Sequence, residues 1–584
     1  MRRLLLSAFI LVAAPIGLSS SLADPNVPGA SGPEFQVSSL FMPHYSYAYP
    51  FGPGADMADS GDFLVVWAVL GAGGLGEMGG RAFDAAGTPR GSDFSLGAGN
   101  LFYYRPESPD VSAADGQFIA VWTSYDGTFG SSYEVKAQRF DLQGNLDGQQ
   151  IRVTPSSFGY DAEVAAEPGG DFIVVWDISS ASVSMRRYES VGVPSWPQQG
   201  FPASPIAPPD PDVAVDTLGN FTVIWSQNEL SGPMGIRGKR FDSAGTPLGT
   251  TFQVSQFATG SQRHPAIASM PDGGFVAVWT SFGQDGSLAG VIGRVFDGNA
   301  QPLGAEFQVN TTTAGSQQRP DVSADDRGNF MVVWQSGSHF KRGDLVRARQ
   351  FNRSGMPLGA EFQINQTFST GQQLPTVAMR DDGESLVTWF SNQSTGASAI
   401  RAIRLCAVPN VNGPQDLAVC AGGTATLSLT ATGRQPFSYH WRKGGAQLQD
   451  DGRISGSASP TLVISSAQPA DADVYRCEVL DTCATPQAVL SDAARLTIEP
   501  PLPEVTDLTL RLENGNATLT FSWGATVGAS DYVVRSDVAP NGGFTVVAGT
   551  ATDPAGGLSV PATMDTEYFL VAARNPTCGE GPIR

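Results

Sequence analysis

One apolar pattern recurs seven times along the first two thirds of the chain: a short run of β-branched and aliphatic residues that ends in tryptophan. Phe63–Trp67 reads FLVVW, Phe118–Trp122 FIAVW, Phe172–Trp176 FIVVW, Phe221–Trp225 FTVIW, Phe275–Trp279 FVAVW and Phe330–Trp334 FMVVW. The seventh copy, Ser385–Trp389, reads SLVTW and has lost its phenylalanine. A period of about 54 residues marks a repeat architecture in which each copy is one supersecondary unit. Phe and Trp four residues apart share a face in a helix as well as in a strand. The β-branched filling and the flanking glycines decide for strand. Phe63, Val65 and Trp67 line one face and Leu64 and Val66 the other, so such a strand must be covered on both sides.

Polar punctuation divides each copy into four strand-like segments. A leading segment such as Pro320–Asp325 precedes a glycine turn, and the apolar strand follows. A third strand ends in Arg-Phe-Asp, as at Arg139–Asp141 and Arg240–Asp242. A turn such as Asp242–Pro247 then leads to a fourth strand, Phe252–Val254 or Phe307–Val309. Four antiparallel strands repeated radially predict an all-β fold, a seven-bladed β-propeller over residues 32–405. Copy seven ends at Leu405 without a fourth strand, and Glu34–Val37 carries the matching sequence EFQV. An N-terminal strand completing the last blade would close the ring and remove its edges. An open solenoid would have no use for that permutation. Trp67, Trp122, Trp176, Trp225, Trp279, Trp334 and Trp389 are accordingly expected in the cores between blades rather than on a ligand platform.

The running pattern EFQVN, P-x-V-A, G-x-F-V-V-V-W and R-F-D-x-x-G-x-P-L-G is best kept in copies five and six. It resembles a family of bacterial exported repeat proteins. That resemblance implies an architecture and export, not a reaction.

All five cysteines lie beyond the repeats, at 406, 420, 477, 483 and 578. Cys420, Trp441 and Cys477, with Tyr475 two residues before the last, resemble the Cys–Trp–Cys framework of an immunoglobulin-like domain, here over residues 406–498. The resemblance implies a disulfide from Cys420 to Cys477 packed by Trp441, a tyrosine corner at Tyr475, and an Arg453–Asp471 ion pair. If 420 joins 477, Cys406 is left for Cys483. Cys578 is then a free thiol, an intermolecular link or the relic of a lost pair. Residues 499–503 (EPPLP) read as a short stiff linker. Beyond them, Leu519–Trp523, Tyr532–Arg535 and Tyr568–Ala572 alternate like strands. Trp523, Tyr532 and Tyr568 resemble a fibronectin type III module over residues 504–584, a second β-sandwich.

Composition narrows the partners. The 584 residues are 41% hydrophobic and only 16% charged, which suits large cores and neither helix bundles nor wholesale disorder. A net charge of −21 disfavours nucleic acid as a partner. Arg2 and Arg3, the apolar run Leu4–Ala14 and Ser21-Leu22-Ala23 read as a signal peptide over residues 1–23. No later stretch approaches 18 apolar residues, so no membrane span is expected in the mature chain. The expectation is a secreted protein, extracellular, at the cell surface or periplasmic, where thiols oxidise.

Catalytic constellations are not legible. His44, His264, His339 and His440 make no zinc spacing, and Ser231–Gly235 is not a nucleophile elbow. His264 precedes a repeat proline where copy six has Arg319 and copy seven Leu374, and reads as an ordinary variable position. Asp126 and Asp285, at the tips of longer loops, are thin calcium candidates, one carboxylate each for an ion that takes several oxygens. No other cofactor is expected. The function expected is that of an exported, non-enzymatic binding, adhesion or surface-interaction protein displaying propeller loops to a protein or carbohydrate ligand. The alternative is a secreted polysaccharide-active hydrolase or lyase with an acidic site at the propeller mouth.

Overall fold

The computed structural model describes residues 31–580 except 39–41, 44–51, 71–75, 100–108, 115, 126–132, 155–158, 179–181, 204–208, 229–231, 338–343, 367–370, 393–396, 408, 433–435, 482–487, 504, 506–507, 514–517, 524–525, 527–528, 538–545, 553–556 and 562–567. The expected signal peptide lies outside the described residues. The chain is all β. Among the described residues the one helical element is the 3-10 turn Pro469–Asp471, and no helix is long and apolar enough to cross a membrane. Two compact units form, residues 1–407 with 483–485, and residues 408–482 with 486–584.

In the first unit, six copies each fold into a four-stranded antiparallel sheet in chain order. The fifth runs Gln262–Ser269, Phe275–Phe282, Ala289–Phe296 and Phe307–Gln308. The seventh consists of Gln372–Met379, Ser385–Asn392 and Ala397–Leu405, and takes its fourth strand, Phe35–Gln36, and a further short strand, Met42–Pro43, from the other end of the unit. Phe35 pairs with Ala402 and Gln36 with Arg401. Each apolar strand is buried on both faces because it feeds two cores. Phe275, Ala277 and Trp279 pack with Ile224 and Ile236 of the fourth sheet, whereas Val276 and Val278 pack with Phe330 and Trp334 of the sixth. Every consecutive pair of sheets shares such a core. Leu386 and Ile400 of the seventh share one with Phe63, Val65 and Trp67 of the first.

Polar clamps repeat with the same fidelity. Arg294 donates to the Val254 carbonyl at 3.3 Å and Arg349 to that of Val309 at 3.1 Å, each reaching the fourth strand of the preceding sheet. Arg81 of the first sheet donates to the Val37 carbonyl at 3.3 Å. Glu361 accepts from the amide of Thr312 at 3.1 Å, and Glu34 from that of Gln366 at 2.7 Å. The strand from the N-terminal end is therefore bonded as any other fourth strand is. The aspartates of Arg-Phe-Asp close turns: Asp242 accepts from the amides of Ala244 and Thr246 at 3.0 and 2.7 Å.

In the second unit, Leu417–Cys420, Ala494–Glu499, Asp473–Leu480 and Ser438–Lys443 lie in one sheet, and Ala425–Ser428 and Thr461–Ile464 in the other. Trp441, Tyr475 and Cys477 are buried between them. The Tyr475 hydroxyl donates to the Asp471 carbonyl at 2.7 Å, and Arg453 holds the Asp471 carboxylate bidentately at 2.8 and 3.2 Å.

The disulfide pairing expected from Cys420 and Cys477 is corrected. Cys420 is bonded to Cys578, with the Cα atoms 5.3 Å apart, and Cys477 is a free, buried thiol that burial pushes up to about 12. The reason is local. Cys420 ends a strand that runs parallel beside Leu496–Glu499, while Leu427 and Leu429 occupy the core shared with Trp441 and Cys477. Cys406 is disulfide-bonded, and Cys483 lies outside the described residues. Non-reducing peptide mapping is expected to recover 420 linked to 578, with Cys477 alkylated only after unfolding. A 420–477 peptide would contradict the assignment.

The last two sheets of this unit are Thr509–Glu513, Thr518–Ser522 and Gly557–Pro561 against Val546–Ala551, Asp531–Asp537, Tyr568–Asn575 and Gly579–Glu580. Trp523 and Tyr532 meet in their core with ring centres 5.1 Å apart. Leu502 of the proline-rich stretch is buried in the same core, which joins that stretch to the sandwich.

Candidate functional site

The leading strands of all seven sheets line one cavity of about 440 Å³. At one register of these strands stand Gly54, Asp110, Glu163, Asp212, Ala266, Asp321 and Thr376, four of them acids, and Asp56 stands two residues further along the first sheet's strand. Neighbouring leading strands do not pair, so their backbone amides need other acceptors. The aspartates supply them. Asp56 accepts from the Met57 amide at 2.8 Å with one oxygen and from the Ala113 amide of the next sheet at 2.8 Å with the other. Asp110 holds Val111 and Val164, Asp212 holds Val213 and Ile267, and Asp321 holds Val322 and Val377, all at 2.7–2.8 Å.

These carboxyls open only onto the cavity, and desolvation dominates their chemistry. It raises Asp56 and Asp321 from an ordinary 3.8 to about 7, and Asp110 to about 6. Glu163 and Asp212 are raised well above the carboxylate range by burial, and then by neighbouring acids, Asp110 foremost for Glu163. The side-chain interaction between Glu163 and Asp110 raises the first further and holds the second down. A carboxyl whose folded pKa is raised stabilises the fold below its unfolded pKa, and that contribution is lost as pH rises through the folded value. Thermal stability of the first unit is therefore expected to fall between about pH 5 and pH 8. Scanning calorimetry across that range checks this, and a rise over the same window would contradict it.

A second ring of residues lines the same cavity two positions earlier. Asp161, Asp210, His264, Arg319 and Leu374 all have positive φ, between 41° and 52°, in copies three to seven. Register shifts break the pairing beside this position in the third, fifth, sixth and seventh sheets. The left-handed backbone costs a residue with a Cβ about 1–2 kcal/mol. The same slot in copy one is Gly52, which is followed by Pro53 as Arg319 is by Pro320. Sequence reasoning passed over this ring, His264 included. The signal that could have found it is variation at one slot, followed in six copies by proline.

The repeat tryptophans are all buried. The indole N–H of Trp279, Trp334 and Trp389 donates to Gln262, Gln317 and Gln372 at 2.9, 3.0 and 2.8 Å. Asp285 accepts from the Ser287 amide of its own turn at 3.0 Å with one oxygen and from the Asn310 side chain, 25 residues on, at 3.2 Å with the other. Asp126 lies outside the described residues. Among the described residues no cluster of three or more His, Cys, Asp or Glu side chains is arranged to hold a metal ion.

The fold defines an all-β chain that includes an immunoglobulin-like domain. Residues 410–490 match the immunoglobulin I-set domain family. The peroxidasin homolog of Mus musculus is 31% identical over 145 residues, which cover 25% of this chain and 10% of that protein. The chain thus spans a tenth of that relative's length. In the solved complex of titin M10 with obscurin-like 1, one immunoglobulin chain is 30% identical, with 16% of this chain and 95% of that chain covered and a TM-score of 0.15. A protein of unknown function from Dyadobacter fermentans is 12% identical, with 65% of this chain and 99% of that chain covered and a TM-score of 0.38.

Proposed function

We propose that the seven sheets are the blades of a closed β-propeller in an exported, non-enzymatic binding or surface-interaction protein. The propeller presents its loops and cavity mouth to a protein or carbohydrate ligand. The immunoglobulin-like module and a fibronectin type III-like module extend that surface or space it from a partner, as sandwich domains do in many cell-surface proteins. The observation that carries the ring is the strand Phe35–Gln36, which completes the seventh sheet beside the core shared with the first. Export rests on the leader-like residues 1–23 and on the bonded state of Cys406, Cys420 and Cys578. Titrating the purified mature protein against arrayed glycans and surface proteins tests the reading. Saturable binding without turnover supports it.

A second reading has one observation in its favour. Asp56, Asp110 and Asp321, raised to about 6–7 within a cavity, have the protonation a general acid needs in a polysaccharide-active hydrolase or lyase. Against it, both oxygens of each already accept backbone amides. Turnover of any arrayed glycan, abolished by Asp321→Asn, would favour this second reading over the first.

A further inference from the structure

We infer that Asp161, Asp210, His264, Arg319 and Leu374 form a binding site for a small zwitterion with an apolar tail, of the α-amino acid or dipeptide class. The inference rests on the closed ring proposed above and names the ligand of its cavity. All five side chains line that cavity, and all five sit on left-handed backbone that glycine would adopt without penalty. The same chain uses glycine at positive φ in its turns, at Gly219, Gly273 and Gly328 for instance. The side chains at the slot are therefore kept for what they present.

What they present is sorted. The frame around the slot is constant, with proline following it in every copy but the third and an acid or its replacement one residue later. A demand of the fold would repeat one residue type, as it does for the tryptophans. The slot instead carries acids in copies three and four, bases in copies five and six, and leucine in copy seven, with Gly52 and Ser108 in the first two. Arg319 is attracted to Asp210 and Asp161 across the cavity. An ammonium group on the side of the two aspartates and a carboxylate on the side of Arg319 and His264 match this sorting of charge. A molecule with one charge satisfies half the ring and leaves the other half facing its apolar part. Leu374 then meets the tail. The cavity of about 440 Å³ lies within the range that holds small molecules.

Isothermal titration of the full mature chain at neutral pH tests this with L-leucine, its amine analogue 3-methylbutylamine and its acid analogue 4-methylpentanoate. L-leucine is expected to bind, and each single-charge analogue at least ~10-fold more weakly. Arg319→Gln is expected to weaken L-leucine by ~10-fold or more, and Arg319→Lys, which keeps the charge, to recover part of that loss. Leu374→Ser is expected to erase the preference for L-leucine over glycine. No heat with L-leucine or the dipeptide Leu-Gly up to ~10 mM overturns the inference, as does equal binding of a single-charge analogue to the wild-type protein. Glycan or protein binding at the rims without L-leucine binding sinks this site and spares the proposed function. Unchanged stability after removal of the closing strand sinks the ring itself.

Discussion

Deletion of residues 33–38 is expected to lower the melting temperature of the first unit by about 4–8 °C and to promote association at high protein concentration. Val37 and Ser38 are fully buried, and Phe35 packs 5.8 Å from Phe83 and 6.4 Å from Phe63. Losing the burial of Phe35 and Val37 removes roughly 3–6 kcal/mol. The Val37 amide also bonds the Ile400 carbonyl at 2.9 Å, and the Ser38 hydroxyl accepts from the Ile400 amide at 3.2 Å. Their loss exposes the part of Ala397–Leu405 beyond Ser398 as an unpaired edge, while Met42–Pro43 still pairs with Ala397 and Ser398, and that edge is the surface on which another chain can add a strand. The same chemistry supplies a control. A synthetic peptide of residues 32–40 added in trans should restore part of the lost stability by strand addition. A deletion variant that melts with the parent, and ignores the peptide, would mean that the strand closes nothing.

The sequence makes the repeat legible because the strands are apolar on both faces at one register, and nothing but packing between sheets asks for that. Glu34–Val37 is legible as a fourth strand for the same reason: its glutamate, phenylalanine and valine recur where Glu306, Phe307 and Val309 stand. The cavity was hidden by a difference in kind. Asp56, Asp110 and Asp321 read as polar residues of a strand, and their task of joining strands that do not pair exists only once the sheets are assembled. His264 was set aside because variation at a slot looks like indifference. Only its φ of 49° and its place on the cavity show that the variation occurs under constraint.

The cysteines teach the converse lesson. Cys420, Trp441 and Cys477 carry a spacing that suggests a bond through the core, yet the position across the core from Cys477 belongs to leucine. Spacing along the chain placed Cys420 one strand too late. Cys578, which looked like a remainder, is the residue that ties the end of the last sandwich to the edge of the immunoglobulin-like domain.

Trp279→Ala is expected to destabilise the first unit by about 3–5 kcal/mol, the usual cost of emptying a buried aromatic site. For a unit of roughly 370 residues that is a fall of about 4–6 °C in melting temperature. Trp279 is fully buried among Ile224, Ile236 and Val254 of the fourth sheet and Ile267, Ile292 and Phe296 of the fifth, so its loss loosens one sheet against the next. Its indole N–H donates to the side-chain Oε1 of Gln262 at 2.9 Å, and Gln262 is itself fully buried. Truncation therefore leaves an orphaned acceptor as well as a hole, and stranding a buried polar group costs about 1–3 kcal/mol by itself. Trp279→Phe separates the two effects, since it keeps most of the volume and loses the hydrogen bond. It is expected to recover more than half of the alanine loss. A tryptophan that served as a sugar platform would behave in the opposite way, with its alanine variant folding as stably as the parent and failing to bind. Urea unfolding of both variants, set beside glycan binding, distinguishes the two roles. The burial of the equivalent residue in all seven sheets favours the core.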